Sequence, residues 1–189
     1  MRRVAIGYCK ARYCGTGYSM LELLTVLAIV AVLLGLALPE MSAMIARHRL
    51  KAAVSDLHGA IDLTRSQAIA RGRRVQLVPL EPRGLNWGSG WVVFVDADGD
   101  RRPGPREEVI ASHGPLSSDI VTSFSFTKNQ KPYYIAYNGD GRSCGDSSMA
   151  PRWGTLSLHQ GTQIRRIRIN MLGRARVCDP AMDGASCDI

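Results

Sequence analysis

At 189 residues the chain has room for one domain plus a membrane helix, and its 46% hydrophobic content is that of a folding chain rather than a disordered one. The net charge is +8 and unevenly spread: residues 1–17 hold four cations and no acid, and from Arg47 onward 20 basic residues face 14 acidic ones. A basic domain of this kind attracts polyanions such as DNA, lipopolysaccharide or anionic lipid, and charge alone does not choose among them.

The first element is a basic leader with Arg2, Arg3, Lys10 and Arg12. Glu22 follows, and residues 23–39 then carry no charge. A lone carboxylate at the edge of an apolar run is costly in lipid, so a role for it is expected. An ordinary secretory signal would place its small-residue cleavage site after the apolar core, with Ala37-Leu-Pro39 as the candidate. Neither that reading nor a plain signal anchor accounts for the acid.

Beyond the apolar run, Leu50, Val54, Leu57, Ile61, Thr64 and Ala68 recur at three- and four-residue steps, marking one buried helix face. One helix is therefore expected from residue 18 to 71, with Gly72 as its stop and a bend or local melting at Pro39. After Gly72 the period changes to that of strands, at 74–80, 90–96, 108–110, 120–126, 133–137, 154–159, 164–170 and 174–178. Turn residues such as Asn138-Gly-Asp-Gly and Leu172-Gly separate them. The expectation is an antiparallel sheet domain lying against the amphipathic half of the helix.

Cys9 and Cys14 lie in the leader, on the cytoplasmic side by the positive-inside rule. In an oxidising compartment Cys144, Cys178 and Cys187 leave one thiol over. The short loop between Cys178 and Cys187 makes them the preferred pair, with Cys144–Cys178 as the alternative. No metal site or cofactor is expected. The sequence has no CxxC, and His48, His58, His113 and His159 are scattered. Asp96-Ala-Asp-Gly-Asp100 has its glycine at the wrong place for a calcium loop, although Glu107 stands at position 12; it reads as a tight hairpin turn with solvated acids. Without a Gly-x-Ser-x-Gly, HExxH or phosphate-loop pattern, no enzymatic activity is expected.

The C-terminal arginines are the other concentration of chemistry. On a strand, Arg166 and Arg168 share one face, while Arg165 points to the other with Ile167 and Ile169. Arg174 and Arg176 share a face just past a Leu-Gly turn. Two adjacent strands would then present four guanidiniums to consecutive phosphates, and the planar fork of arginine holds phosphate oxygens in two bonds. Such backbone contacts are sequence-independent and salt-sensitive. The competing reading is that these arginines solvate an edge strand and deter aggregation. Trp87, Trp91, Trp153, Tyr133 and Tyr134 would stack on bases, but the core is the commoner place for aromatics in β domains.

Gly17, Glu22 and the apolar run together resemble the class III leader of type IV prepilins and type II secretion pseudopilins. The leader is long for that family, and Tyr18 stands where phenylalanine is usual. Gly90-Trp-Val-Val-Phe-Val-Asp-Ala-Asp-Gly-Asp resembles the hairpin of the GspH/FimT minor pilins, and Gly154-Thr-Leu, Ile169-Asn and Gly173-Arg resemble their last strands. The resemblance implies an α+β type IV pilin fold: leader 1–17, transmembrane and assembly helix half 18–46, and periplasmic domain 47–189. It implies cleavage by a prepilin peptidase between Gly17 and Tyr18 and N-methylation of Tyr18. Glu22 then becomes the fifth mature residue and neutralises a neighbouring subunit's N-terminus, and Pro39 is the twenty-second. The protein would sit as a single-pass inner-membrane protein and then in a pilus or pseudopilus, with other major and minor pilins or pseudopilins as partners. Gly173-Arg-Ala-Arg176 matches the GRxR motif associated with DNA binding in FimT, the minor pilin implicated in natural transformation. It implies double-stranded DNA as a partner, held by Gly173, Arg174 and Arg176 with Arg165, Arg166 and Arg168. The alternatives are a GspH-type minor pseudopilin of type II secretion, with a priming role, and a pilus-initiating pilin that does not touch DNA.

Overall fold

The long helix begins where the sequence supplies a cap. In the computed structural model, which describes residues 18–128, 131–145 and 150–187 with the side chains of 36–40 left aside, helix α1 runs over Met20–Arg71. Gly17 and the rest of the leader lie outside the described residues. Ser19 Oγ accepts from the Leu21 amide at 3.2 Å, and the Ser19 carbonyl accepts from the Leu23 amide at 3.1 Å. Glu22 sits three residues after this cap, in the first turn, where a carboxylate faces the positive end of the helix dipole. The helix is unbroken through residue 39, so the expected local melting does not occur. A proline removes one ladder bond, and the turns on either side keep theirs. Gly72 ends the helix as expected, in a left-handed conformation with φ 60°.

Two units make up the chain. In the first, Met1–Ala43, every residue from 18 to 35 is exposed. Among the described residues no helix is long and apolar enough to cross a membrane. The uncharged run of the sequence continues into residues 36–39.

The second unit, Met44–Ile189, is built on the helical period seen in the sequence. Leu50, Val54, Leu57, Ile61, Thr64 and Ala68 are all buried. They face two antiparallel sheets. The first has the order β3 (Val109–His113), β2 (Trp91–Phe94), β1 (Val75–Pro79), β5 (Ile135–Tyr137). The second has the order β4 (Val121–Phe126), β6 (Gly154–Gln160), β7 (Gln163–Ile169), β8 (Ala175–Cys178). One core joins the helix face to Leu77 and Val93 of the first sheet and to Leu156 and Ile167 of the second. A smaller cluster with Val78, Phe94, Tyr134 and Cys144 covers the other side of the first sheet. That second cluster explains why β1 is buried along its whole length. Arg152 closes this side by lying 4.0 Å over the Tyr134 ring.

The acidic loop after β2 departs from expectation. Asp96 is buried rather than solvated and accepts from Gln76 Nε2 at 2.5 Å and from the Gly99 amide at 2.6 Å. Burial raises its pKa, partly offset by the Gly99 bond and by Arg74. Carboxylate oxygens of Asp96, Asp98 and Glu107 lie within 4.8 Å of one another. Each acid also caps an amide of the loop: Gly99 on Asp96, Asp100 on Asp98, and Ala97 and Gly104 on Glu107. The set is explained as a self-capped turn.

Candidate nucleic-acid interface

Strand register decides which arginines meet. β7 and β8 pair antiparallel with Arg168 opposite Arg176 and Arg166 opposite Cys178. Residues directly opposite on such a ladder point to the same face. Arg166, Arg168 and Arg176 therefore share the outer face of the second sheet, with Thr155 and Ser157 of β6 beside them. Ile167 and Ile169 point inward to the helix and are buried. Arg165 takes the inward parity, as its place in the sequence requires. It pairs with Asp179 at 2.7 Å and lines a separate groove with Arg47 and Lys51 of α1. The structure thus brings Arg166, Arg168 and Arg176 together on one face and sets Arg165 apart.

The C-terminus folds over this face. Cys178 and Cys187 are joined by a disulfide, the pair preferred from the sequence, and Cys144 is buried elsewhere. A short helix α2 (Pro180–Asp183), capped by Asp179, and a 3-10 turn (Gly184–Cys187) complete the closed loop. The Ser186 carbonyl accepts from Arg168 Nη1 at 2.7 Å and from Arg176 Nη2 at 2.5 Å, and the Cys187 carbonyl accepts from Arg166 Nη1 at 3.3 Å. Two of the gathered cations thus converge on one backbone oxygen.

The turn between β7 and β8 is held by Asn170 and Arg65. Asn170 Oδ1 accepts from the Leu172 amide at 3.0 Å and from the Arg174 amide at 2.9 Å. An asparagine opening a Met-Leu-Gly turn string is the signal that was present for it. Arg65 of α1 donates from Nε to the Gly141 carbonyl at 2.9 Å and from Nη2 to the Leu172 carbonyl at 3.5 Å. Gly173 adopts φ 79° and is buried against Gly141, Tyr137 and Ser143. Burial drives the Tyr137 phenol far above its ordinary pKa, with Arg65 acting in the opposite direction. The glycine of the Gly173-Arg-Ala-Arg176 string is thus a packing requirement, and it leaves Arg174 exposed just beyond.

Arg168, Arg174 and Arg176 line a cleft of about 570 Å³, with Trp153, Thr155 and Met171 also in its wall. The arrangement offers cations beside an apolar surface. The histidines do not converge: His58 lies 3.3 Å from Asp62, His113 3.6 Å from Asp56, and His159 3.3 Å from Ser123.

A long N-terminal helix packed on antiparallel sheets is the type IV pilin architecture. The chain belongs to the family described as type II transport protein GspH, which it matches over residues 53–173, and is a GspH/FimT-like minor pilin or pseudopilin. Pilin-like protein PilA1 of Thermus thermophilus is 42% identical over 165 residues, covering 85% of this chain and 97% of that protein. Two crystal forms of the type IV minor pilin FimU of Pseudomonas aeruginosa superpose with TM-scores of 0.56 and 0.53, at 17% and 16% identity. They cover 71% and 69% of this chain and 92% and 94% of theirs, and they bear on the fold alone. The family match stops at Gly173 and does not include Arg174 or Arg176.

Proposed function

We propose that this chain is a minor pilin of a type IV pilus that polymerises through α1 and binds DNA without sequence preference for uptake in natural transformation. The observation that carries the DNA reading is the placement of Arg168, Arg174 and Arg176 around one cleft. The role is assembly and binding rather than catalysis.

Assembly is supported by the exposed apolar side chains along the first part of α1, among them Leu23, Leu27, Ile29 and Leu33. Lipid covers them before assembly, and other pilins do so afterwards. In this reading a prepilin peptidase cuts after Gly17 and methylates Tyr18, and the domain from Arg47 lies in the periplasm. Glu22 then neutralises the N-terminal ammonium of the next subunit, since a buried carboxylate and a buried amine each lose a large desolvation cost when they meet. A Glu22→Ala chain should be depleted from filaments at least several-fold by immunoblot of sheared pili. Wild-type abundance would remove that role.

The DNA reading is tested with the full chain in non-ionic detergent, by anisotropy of a labelled duplex across a salt series. Arg174→Gln/Arg176→Gln should bind about tenfold more weakly and lower the log–log salt slope by about 1.8, or 0.9 per lost phosphate contact. Equal, negligible binding in both proteins would favour the second reading, a minor pseudopilin of type II secretion, which the family description itself supports.

A further inference from the structure

We propose that the cleft beside Arg174 receives an unpaired nucleotide, so that the chain grips a single strand or a frayed end in preference to an intact duplex. The proposal rests on the DNA-binding reading and specifies the form of DNA at that same site.

Trp153 is the departure from pattern. Trp87 and Trp91 are 1% and 2% exposed, as core aromatics should be, whereas Trp153 is 37% exposed and forms part of the cleft wall. Its backbone is fixed by Thr127: the Thr127 amide donates to the Trp153 carbonyl at 3.0 Å, and the Trp153 amide donates to Thr127 Oγ1 at 3.2 Å. An indole on a tethered backbone stacks with little ordering cost. The opposite requirement, a holder for phosphate, is met in the same cleft by Arg168, Arg174 and Arg176. Met171, 53% exposed, adds apolar surface. Thr155 is buried at the cleft, and its Oγ1 has no hydrogen-bond partner among the described residues.

The volume, about 570 Å³, falls within the range that takes small organic ligands and is far below that of a duplex turn. Inside a duplex the base faces are covered by their neighbours, and side chains in the grooves reach only edges. An indole in a cleft gains a base face only when the base is unstacked, and base–aromatic stacking tolerates any base. Phosphate contacts are common to both forms of DNA, so the arginines alone would not discriminate.

The test uses the full chain in non-ionic detergent with oligonucleotides of one length: single-stranded, blunt duplex, and duplex with an overhang. Wild type should bind the single strand and the overhang about tenfold more tightly than the blunt duplex. Trp153→Ala should abolish that preference, lowering single-strand and overhang affinity about tenfold more than blunt-duplex affinity, and Trp153→Phe should restore most of it. Because the other two tryptophans are buried, protection of the indole fluorescence from acrylamide on adding single strand reads Trp153 directly. Equal weakening of all three ligands by Trp153→Ala, or no protection and no strand preference in wild type, would overturn the proposal while leaving the arginine reading intact. Absence of binding to every oligonucleotide would overturn both.

Discussion

Gly173→Ala should destabilise the second unit by about 3 kcal/mol, combining roughly 1–2 kcal/mol for a side chain in the left-handed region with about 1–3 kcal/mol of overpacking. The backbone there has φ 79°, and a Cβ would press on the Gly141 carbonyl and come within 2.8 Å of Tyr137 Cε1. Neither neighbour can give way cheaply. Gly141 is held by Arg65, and Tyr137 is paired with Val75 in the first sheet and fully buried. For a chain of this size the change corresponds to a drop of about 6–12 °C in melting temperature. Thermal melting by circular dichroism of wild type and variant checks it, and a shift below about 2 °C would mean that the turn tolerates the methyl group. In the proposed DNA reading, affinity for DNA should fall as well, because the same displacement moves Arg174.

The second large effect concerns the C-terminal loop. Cys178→Ala/Cys187→Ala should cost about 2–3 kcal/mol, the loop-closure value for so short a ring. The loss has a local address. α2 is only four residues long and cannot persist without the bond that closes its loop. The Ser186 and Cys187 carbonyls would leave Arg166, Arg168 and Arg176 with it. Urea denaturation gives the magnitude, and limited proteolysis gives the place: the variant should be trimmed back toward Asp179 while the sheets remain intact. An unchanged midpoint together with an untrimmed C-terminus would mean that the loop is held by its hydrogen bonds alone.

How much of this was legible in the sequence follows from the range of each signal. The helix face from Leu50 to Ala68, the strand positions and the parity of Arg165 against Arg166 and Arg168 all rest on local periods, and they were read correctly. The Cys178–Cys187 pair was favoured by its short spacing. What failed was long-range. Nothing near 75–79 says that β1 lies between β2 and β5 with a second cluster behind it, so Gln76 and Asp96 could not be recognised as buried partners. The convergence of Arg168 and Arg176 on the Ser186 carbonyl depends on how a chain end folds back, which no period encodes. Trp153 looked like any core aromatic. It lies just before β6, outside the alternation that sends Leu156 and Leu158 inward. A bend or local melting was expected at Pro39, and the melting does not occur because a helix of this length absorbs one lost bond.

Arg65 has a mechanical consequence. Its guanidinium reaches from α1 to the Gly141 carbonyl, on the loop against which Gly173 is packed. In the proposed DNA reading, a pull on a strand held at Arg174 would therefore load the helix through this strut and the Gly173 contact, in parallel with the β7–β8 ladder. Tension shared between a strut and a ladder does not concentrate on the edge strand, which is the part of a sheet that peels first.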